Sequence, residues 1–235
     1  MTPIYRLHYA PDNASLIIRL ALEELDQPFE TVLVDRRGGA LDSPGYRALN
    51  PQGLIPVLET PDGPMFETAA ILLWLGDRHG SVLPDATSRD RAWCLKWLFF
   101  LSNTLHADLR ILFYPKKYMG PDPARQEDLR QGVTARLVTH LATIEAAAAE
   151  NTPWLAGDRP SALDLYLACM MRWMALYPEG RDRSWFDLAA TPRLKDMLTR
   201  LEQRPSVALA QAAEGLGDTP FTQPVYANPP EGSAT

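Results

Sequence analysis

Apolar and polar positions follow two different periods along this 235-residue chain, and the change falls near residue 80. Ile4 to Tyr9 predicts a strand with Tyr5, Leu7 and Tyr9 on one face. Pro11-Asp12-Asn13 is turn chemistry, after which Asn13 or Ser15 opens a helix to about Leu25. Arg19, Glu23 and Asp26 fall at i, i+4 and i+7 of that segment, a single solvent stripe on an otherwise apolar helix. A helix this apolar is expected to be covered on two sides, as between a sheet and a second domain. Phe29 to Val34 predicts the next strand and completes a β-α-β unit. A Gly-containing loop over 36–43 leads to a helical turn near Tyr46 to Leu49. Val57 to Glu59 and Met65 to Phe66 form a hairpin around Pro61-Asp62-Gly63. The helix that follows runs from Glu67 to about His79, with Gly80 as its C′ residue.

Residues 81–88, with Pro84-Asp85, read as a linker, and beyond them the period is helical throughout. A long segment from about Arg89 to Phe113 carries Trp93, Trp97, Phe99 and Phe100. A second helix starts near Asp122-Pro123 and keeps Val133, Leu137, Leu141, Ile144 and Ala148 at core spacing. Ser161 and Asp164 form a capping box ahead of a third helix through Leu165, Leu167, Ala168 and Met171. Two shorter helices are expected over Pro192 to Glu202 and Pro205 to Ala213. The Gly, Pro and Thr content after Gly215 predicts a tail, draped or disordered. The expected organisation is therefore an α/β domain over 1–80, a linker over 81–88, an all-α domain over 89–214 and a tail over 215–235.

Composition changes this picture little. A net charge of −6 arises mostly in residues 1–80, where six arginines face eleven acids for a net of −5. No basic footprint for nucleic acid or an anionic membrane is present. Cys94 and Cys169 sit inside apolar helical patterns and read as buried, inert thiols. The N-terminus lacks a basic start followed by an apolar run, and stretches such as Trp97 to Leu101 are too short to span a bilayer, so a cytoplasmic address is expected.

The stretch with most chemical content is Asn50-Pro51-Gln52-Gly53-Leu54-Ile55-Pro56, followed after the hairpin by Phe66-Glu67-Thr68. Proline cannot donate to a sheet ladder, so Pro56 belongs at a strand's start or edge, and it is a candidate for a cis bond. Glu67-Thr68 puts an acid and a hydroxyl at a helix start, where free N–H groups and the positive dipole end suit a carboxylate. With the helical-domain box at Ser161 and Asp164, these features resemble the glutathione transferase family over about residues 4–213. The resemblance implies a thioredoxin-like domain followed by an all-helical one. It implies glutathione as co-substrate, no bound cofactor and a homodimer. It places Gln52, Leu54, Ile55 and Pro56 on the cysteinyl part of glutathione, with Ile55 offering backbone N–H and C=O. Glu67 and Thr68 then read the γ-glutamyl end.

The group that ionises the glutathione thiol is expected near the end of strand one or the start of helix one. Ser15, then Asn13, then Tyr9 are the candidates, with helix N-cap, turn residue and strand core as their ordinary roles. Tyr5 is expected in the core. The segment Tyr9 to Leu16 resembles beta-class bacterial members, which carry a cysteine where this chain has Ala14; mixed-disulfide chemistry is therefore disfavoured. Asn103, Arg110, Tyr114 and Trp173 are the expected electrophile pocket, the first three sharing a helical face. His106, a lone histidine, is expected to be an ordinary surface or core residue. No metal spacing, Ser-His-Asp order or phosphate loop appears. The function expected is conjugation of glutathione to small hydrophobic electrophiles, or peroxide reduction with it. A non-catalytic binding or regulatory protein is the alternative, as is a glutathione-dependent isomerase or dehalogenase.

Overall fold

A computed structural model describes residues 5–150 and 152–234; Ile4, expected to begin the first strand, and Thr235, at the end of the tail, lie outside them. The first part is a β-α-β unit, β1 (Tyr5–Tyr9), α1 (Ser15–Glu24) and β2 (Phe29–Leu33), followed by the short helix α2 (Pro44–Leu49). Strands β3 (Val57–Thr60) and β4 (Gly63–Phe66) and helix α3 (Thr68–His79) complete it. The sheet order is β2-β1-β3-β4, with β1 parallel to β2 and antiparallel to β3. Tyr5, Leu7 and Tyr9 are buried as the alternation predicted. Pro44 opens α2 behind Ser43, whose hydroxyl accepts from the Tyr46 N–H at 3.2 Å, a cap that fixes where the chain turns back toward the sheet.

The helical part begins with α4 (Arg91–Phe100), a π-helical turn over Leu101–Leu105, and α5 (His106–Phe113). The single long helix read from the sequence is thus broken by one wide turn, a feature that often marks a functional site. Helices α6 (Pro115–Met119), α7 (Pro123–Ala148), α8 (Ala162–Leu176), α9 (Pro192–Leu201) and α10 (Pro205–Glu214) follow. Apart from Ala175 every residue of α8 is buried, so it is the axis of this half. The capping box is present: Ser161 Oγ accepts from the Leu163 and Asp164 N–H groups at 3.1 and 3.3 Å, and Asp164 accepts from the Ser161 N–H at 2.9 Å. Gly76 lets the linker pass, since a Cβ there would lie 2.9 Å from that of Leu83.

Helix α1 is covered on both sides, by the sheet and α3 on one and by α8 and α10 on the other. Its expected solvent stripe is a correction. Arg19 is buried and its Nε donates to Glu214 of α10 at 2.7 Å, while Asp26 lies beyond the helix end. The tail is ordered and draped. It returns over Gly215, whose left-handed φ of 63° and lack of a Cβ leave room for the Asn228 carbonyl. Three tail carbonyls, of Leu216, Pro220 and Val225, accept from the guanidinium of Arg172. Among the described residues no helix is long and apolar enough to cross a membrane.

Candidate active site

The loop before β3 is built by its own side chains. Asn50 Nδ2 and the Tyr46 hydroxyl both donate to the Leu54 carbonyl at 2.9 Å, and the Gln52 N–H donates to Asn50 Oδ1 at 3.0 Å. The Ile55-Pro56 bond is cis. Among the described residues the N–H and C=O of Ile55 enter no hydrogen bond, so a peptide-like ligand would find one free donor and one free acceptor there. Across from this loop, Glu67 holds φ at +72° immediately before α3. A non-glycine residue in that region stores strain that the surrounding structure must hold. The strain turns the chain so that Thr68 begins the helix with its first N–H groups unclaimed. Thr68 is buried beside Tyr166 of α8.

These residues line one cavity of about 780 Å³ between the sheet half and helices α5 and α8. Gln52, Leu54, Ile55, Pro56, Glu67, Thr68, Asn103, Arg110, Tyr114 and Trp173 all face it, so the structure brings together both expected sets. The three thiol candidates separate. Asn13 lines the cavity; its Oδ1 accepts from the Ala14 N–H at 2.8 Å, which leaves its NH2 group to donate. Ser15 does not. It is fully buried as the first residue of α1, and its hydroxyl exchanges hydrogen bonds with Ala10, donating to the carbonyl at 3.1 Å and accepting from the N–H at 3.3 Å. Nor does it cap the helix, a position held by Ala14. Tyr9 is buried under the tail, and its hydroxyl donates to Glu231 at 2.5 Å. Burial and the neighbouring Glu231 carboxylate raise its pKa, so the hydroxyl stays protonated, and its one proton is committed to Glu231 rather than to the cavity.

Asn13 is placed by its neighbour. Asp12 has a φ of +50° and its carboxylate accepts from Arg172 Nε at 2.9 Å and Nη2 at 3.0 Å, from Trp173 Nε1 at 2.9 Å and from the Tyr177 hydroxyl at 2.9 Å. Its N–H donates to Glu214 at 2.8 Å. Trp173 therefore presents its ring to the cavity with its indole N–H already committed. The turn that holds Asn13 is clamped from the helical half.

Sequence reasoning passed over His106, which lines the cavity with Nδ1 at 2.9 Å from the Tyr166 hydroxyl. Burial and the Arg110 guanidinium push its pKa down to about 4, so the ring is neutral at pH 7. The signal was available: 103, 106, 110 and 114 form one helical stripe. Arg36, whose Nη1 donates to the Ala234 carbonyl of the tail at 2.9 Å, was also missed. Cys94 and Cys169 are buried away from the cavity; burial pushes the first thiol up to about 12 and the second well above its usual value, so neither is a nucleophile.

A four-stranded mixed sheet with a free peptide edge at a cis-proline, backed by an all-helical half, defines a thioredoxin-like domain joined to a glutathione transferase helical domain. Known proteins agree. Residues 14–78 match the model of the glutathione S-transferase N-terminal domain and 127–204 that of the C-terminal domain. Glutathione S-transferase GST-4.5 of Xanthomonas campestris pv. campestris is 29% identical over 90% of this chain and 99% of its own. Disulfide-bond oxidoreductase YfcG of Escherichia coli is 29% identical over 90% of this chain and 96% of its own. A sphingomonad glutathione S-transferase solved with glutathione is 29% identical, with a TM-score of 0.72, over 90% of this chain and all of that one. The chain belongs to the glutathione S-transferase family of enzymes.

Proposed function

We propose that this protein binds glutathione across the Ile55 edge and the start of α3, and transfers its thiolate to a small electrophile with an apolar body. The observation that carries the proposal is the facing pair of unsatisfied backbone groups, Ile55 and the α3 N-terminus, with the Asn13 amide on the same cavity. Glutathione is the co-substrate and no further cofactor is called for. The γ-glutamyl carboxylate is held by Thr68 and the helix N–H groups, and its ammonium by Glu67. Asn13 donates to the sulfur, and Phe113, Trp173 and Tyr177 receive the electrophile. The same thiolate serves for peroxide reduction.

Support from relatives is specific in two places: a relative 29% identical is solved with glutathione, and another is named a glutathione S-transferase. The relative named a disulfide-bond oxidoreductase favours a second reading, thiol–disulfide exchange in which every reacting sulfur comes from the ligands. A homodimer is proposed from the family resemblance and from α4, an apolar helix on which Phe99 is 47% exposed. Sedimentation at micromolar protein is expected to give twice the chain mass of 26.2 kDa. Calorimetric titration tests the main proposal: Thr68→Ala should weaken glutathione binding by about 1–2 kcal/mol, the scale of a hydrogen bond to a charged group. Unchanged affinity in both Thr68→Ala and Glu67→Gln overturns the assignment. Binding without turnover on aryl halides, hydroperoxides or disulfides points instead to a binding or regulatory protein.

A further inference from the structure

We infer that the second substrate carries a carboxylate, held by Arg110 of α5 and Lys117 of α6; this rests on the glutathione site proposed above. The charges on the cavity wall are the reason. Four cations line it, Arg36, Arg47, Arg110 and Lys117, with four acids, Asp12, Asp42, Glu67 and Glu179. Arg36 donates to the Ala234 carbonyl at 2.9 Å and to the Tyr114 hydroxyl at 3.5 Å. Asp12 is consumed by the fully buried Arg172. Arg47 pairs with Asp42 at 2.5 Å and also donates to the Pro51 carbonyl. Glu67 faces the ammonium of the γ-glutamyl group. Glu179 is exposed on the loop after α8 and forms no ion pair among the described residues.

Arg110 and Lys117 remain. The guanidinium of Arg110 is half-buried and, among the described residues, makes neither a hydrogen bond nor an ion pair. A partly desolvated cation without a partner costs stability and serves no structural end. Among the described residues the exposed ammonium of Lys117 meets the face of Tyr114, 4.8 Å from the ring centroid, and makes no hydrogen bond. Glutathione does not account for both. With its cysteinyl part on Ile55 and its γ-glutamyl end at α3, as proposed above, its glycyl carboxylate would lie on the loop side of the cavity, which Arg36, Arg47 and Gln52 line. Arg110 belongs to α5 and Lys117 to α6, both in the helical half and both lining the cavity with Asn103 and Tyr114. A guanidinium fork matches a carboxylate with two parallel N–H donors. Phe113, Trp173 and Tyr177 beside it suit an aromatic or alkyl body. The ligand class is therefore an amphipathic acid whose reacting carbon faces the sulfur. With a halogenated acid, the thiolate forms the new S–C bond while the C–halogen bond breaks and halide leaves with its electron pair. The thiol proton passes to solvent.

Two product analogues test this by calorimetry without turnover: S-(4-carboxybenzyl)glutathione and its neutral isostere S-(4-carbamoylbenzyl)glutathione. The carboxylate is expected to bind about tenfold tighter at low salt, with the margin shrinking as salt is added. The readout is the ratio of the two affinities, so a loss common to both cancels. Arg110→Gln should bring the ratio close to one and Lys117→Gln should reduce it by a smaller factor. Arg110→Lys, which keeps the charge but not the fork, should retain part of it. Equal affinities in the parent overturn the inference and leave the glutathione site standing. So does a ratio unmoved by both Arg110→Gln and Lys117→Gln. If neither analogue binds the parent, the glutathione site falls and this inference falls with it.

Discussion

Asn13 and Ser15 stand two positions apart, and the turn between them gives their side chains opposite surroundings. The amide of Asn13 reaches the cavity, while the hydroxyl of Ser15 is closed into a two-bond exchange with Ala10. Lowering a thiol pKa by two units needs about 2.7 kcal/mol, within reach of one amide donor and the dipole of α1. Asn13→Ala should therefore raise the midpoint of the ultraviolet thiolate band of bound glutathione by about one unit. Ser15→Ala should leave that midpoint in place and cost about 1–2 kcal/mol in urea unfolding, because it orphans the buried Ala10 groups. A shifted midpoint in Ser15→Ala alone would return the role to the serine. Residue types and spacing narrowed the donor to three candidates. Which one reaches the cavity depends on the +50° φ of Asp12, a detail no local pattern encodes.

At the scale of elements, α8 does the organising. Its capping box was legible because Ser161 and Asp164 act within one turn. The hairpin, the cis-proline position and the Gly80 stop were legible for the same reason: each is decided by a few adjacent residues. Arg172 was not. It sits in an apolar run with nothing local to pair with, and its partner Asp12 is 160 positions away. Both are fully buried. Arg172→Met should cost about 3–5 kcal/mol, since it strands a buried carboxylate. Adding Asp12→Asn to Arg172→Met should recover part of that loss, which urea unfolding of the single and double variants would read as a coupling. Purely additive losses would place the effect in packing instead.

At the scale of the whole molecule, the tail joins the two halves. Arg172 holds it by three carbonyls, Glu202 accepts from the Phe221 and Thr222 N–H groups at 2.8 Å each, and Glu231 and Ala234 reach Tyr9 and Arg36. Ala234 thereby forms part of the cavity wall. Removing residues 229–235 keeps the Arg172 contacts and deletes the last two. Stability should fall by about 1–2 kcal/mol for the lost charged hydrogen bond, and glutathione should dissociate faster in stopped-flow measurements. An unchanged dissociation rate would show that the tail end does not govern access.

The sequence by itself determined the order of elements, the change of period near residue 80 and the glutathione-side residues from Gln52 to Thr68. Those rest on local causes: side-chain periodicity, proline and glycine backbone limits, and caps that close within a turn. Only the tertiary structure decided what the polar residues meet. Arg19 turned from solvent stripe to buried partner of Glu214, His106 moved into the cavity wall, and the tail became a cover rather than a loose end. Each of those outcomes depends on charge and hydrogen-bond partners brought together from distant positions, and burial sets their strength.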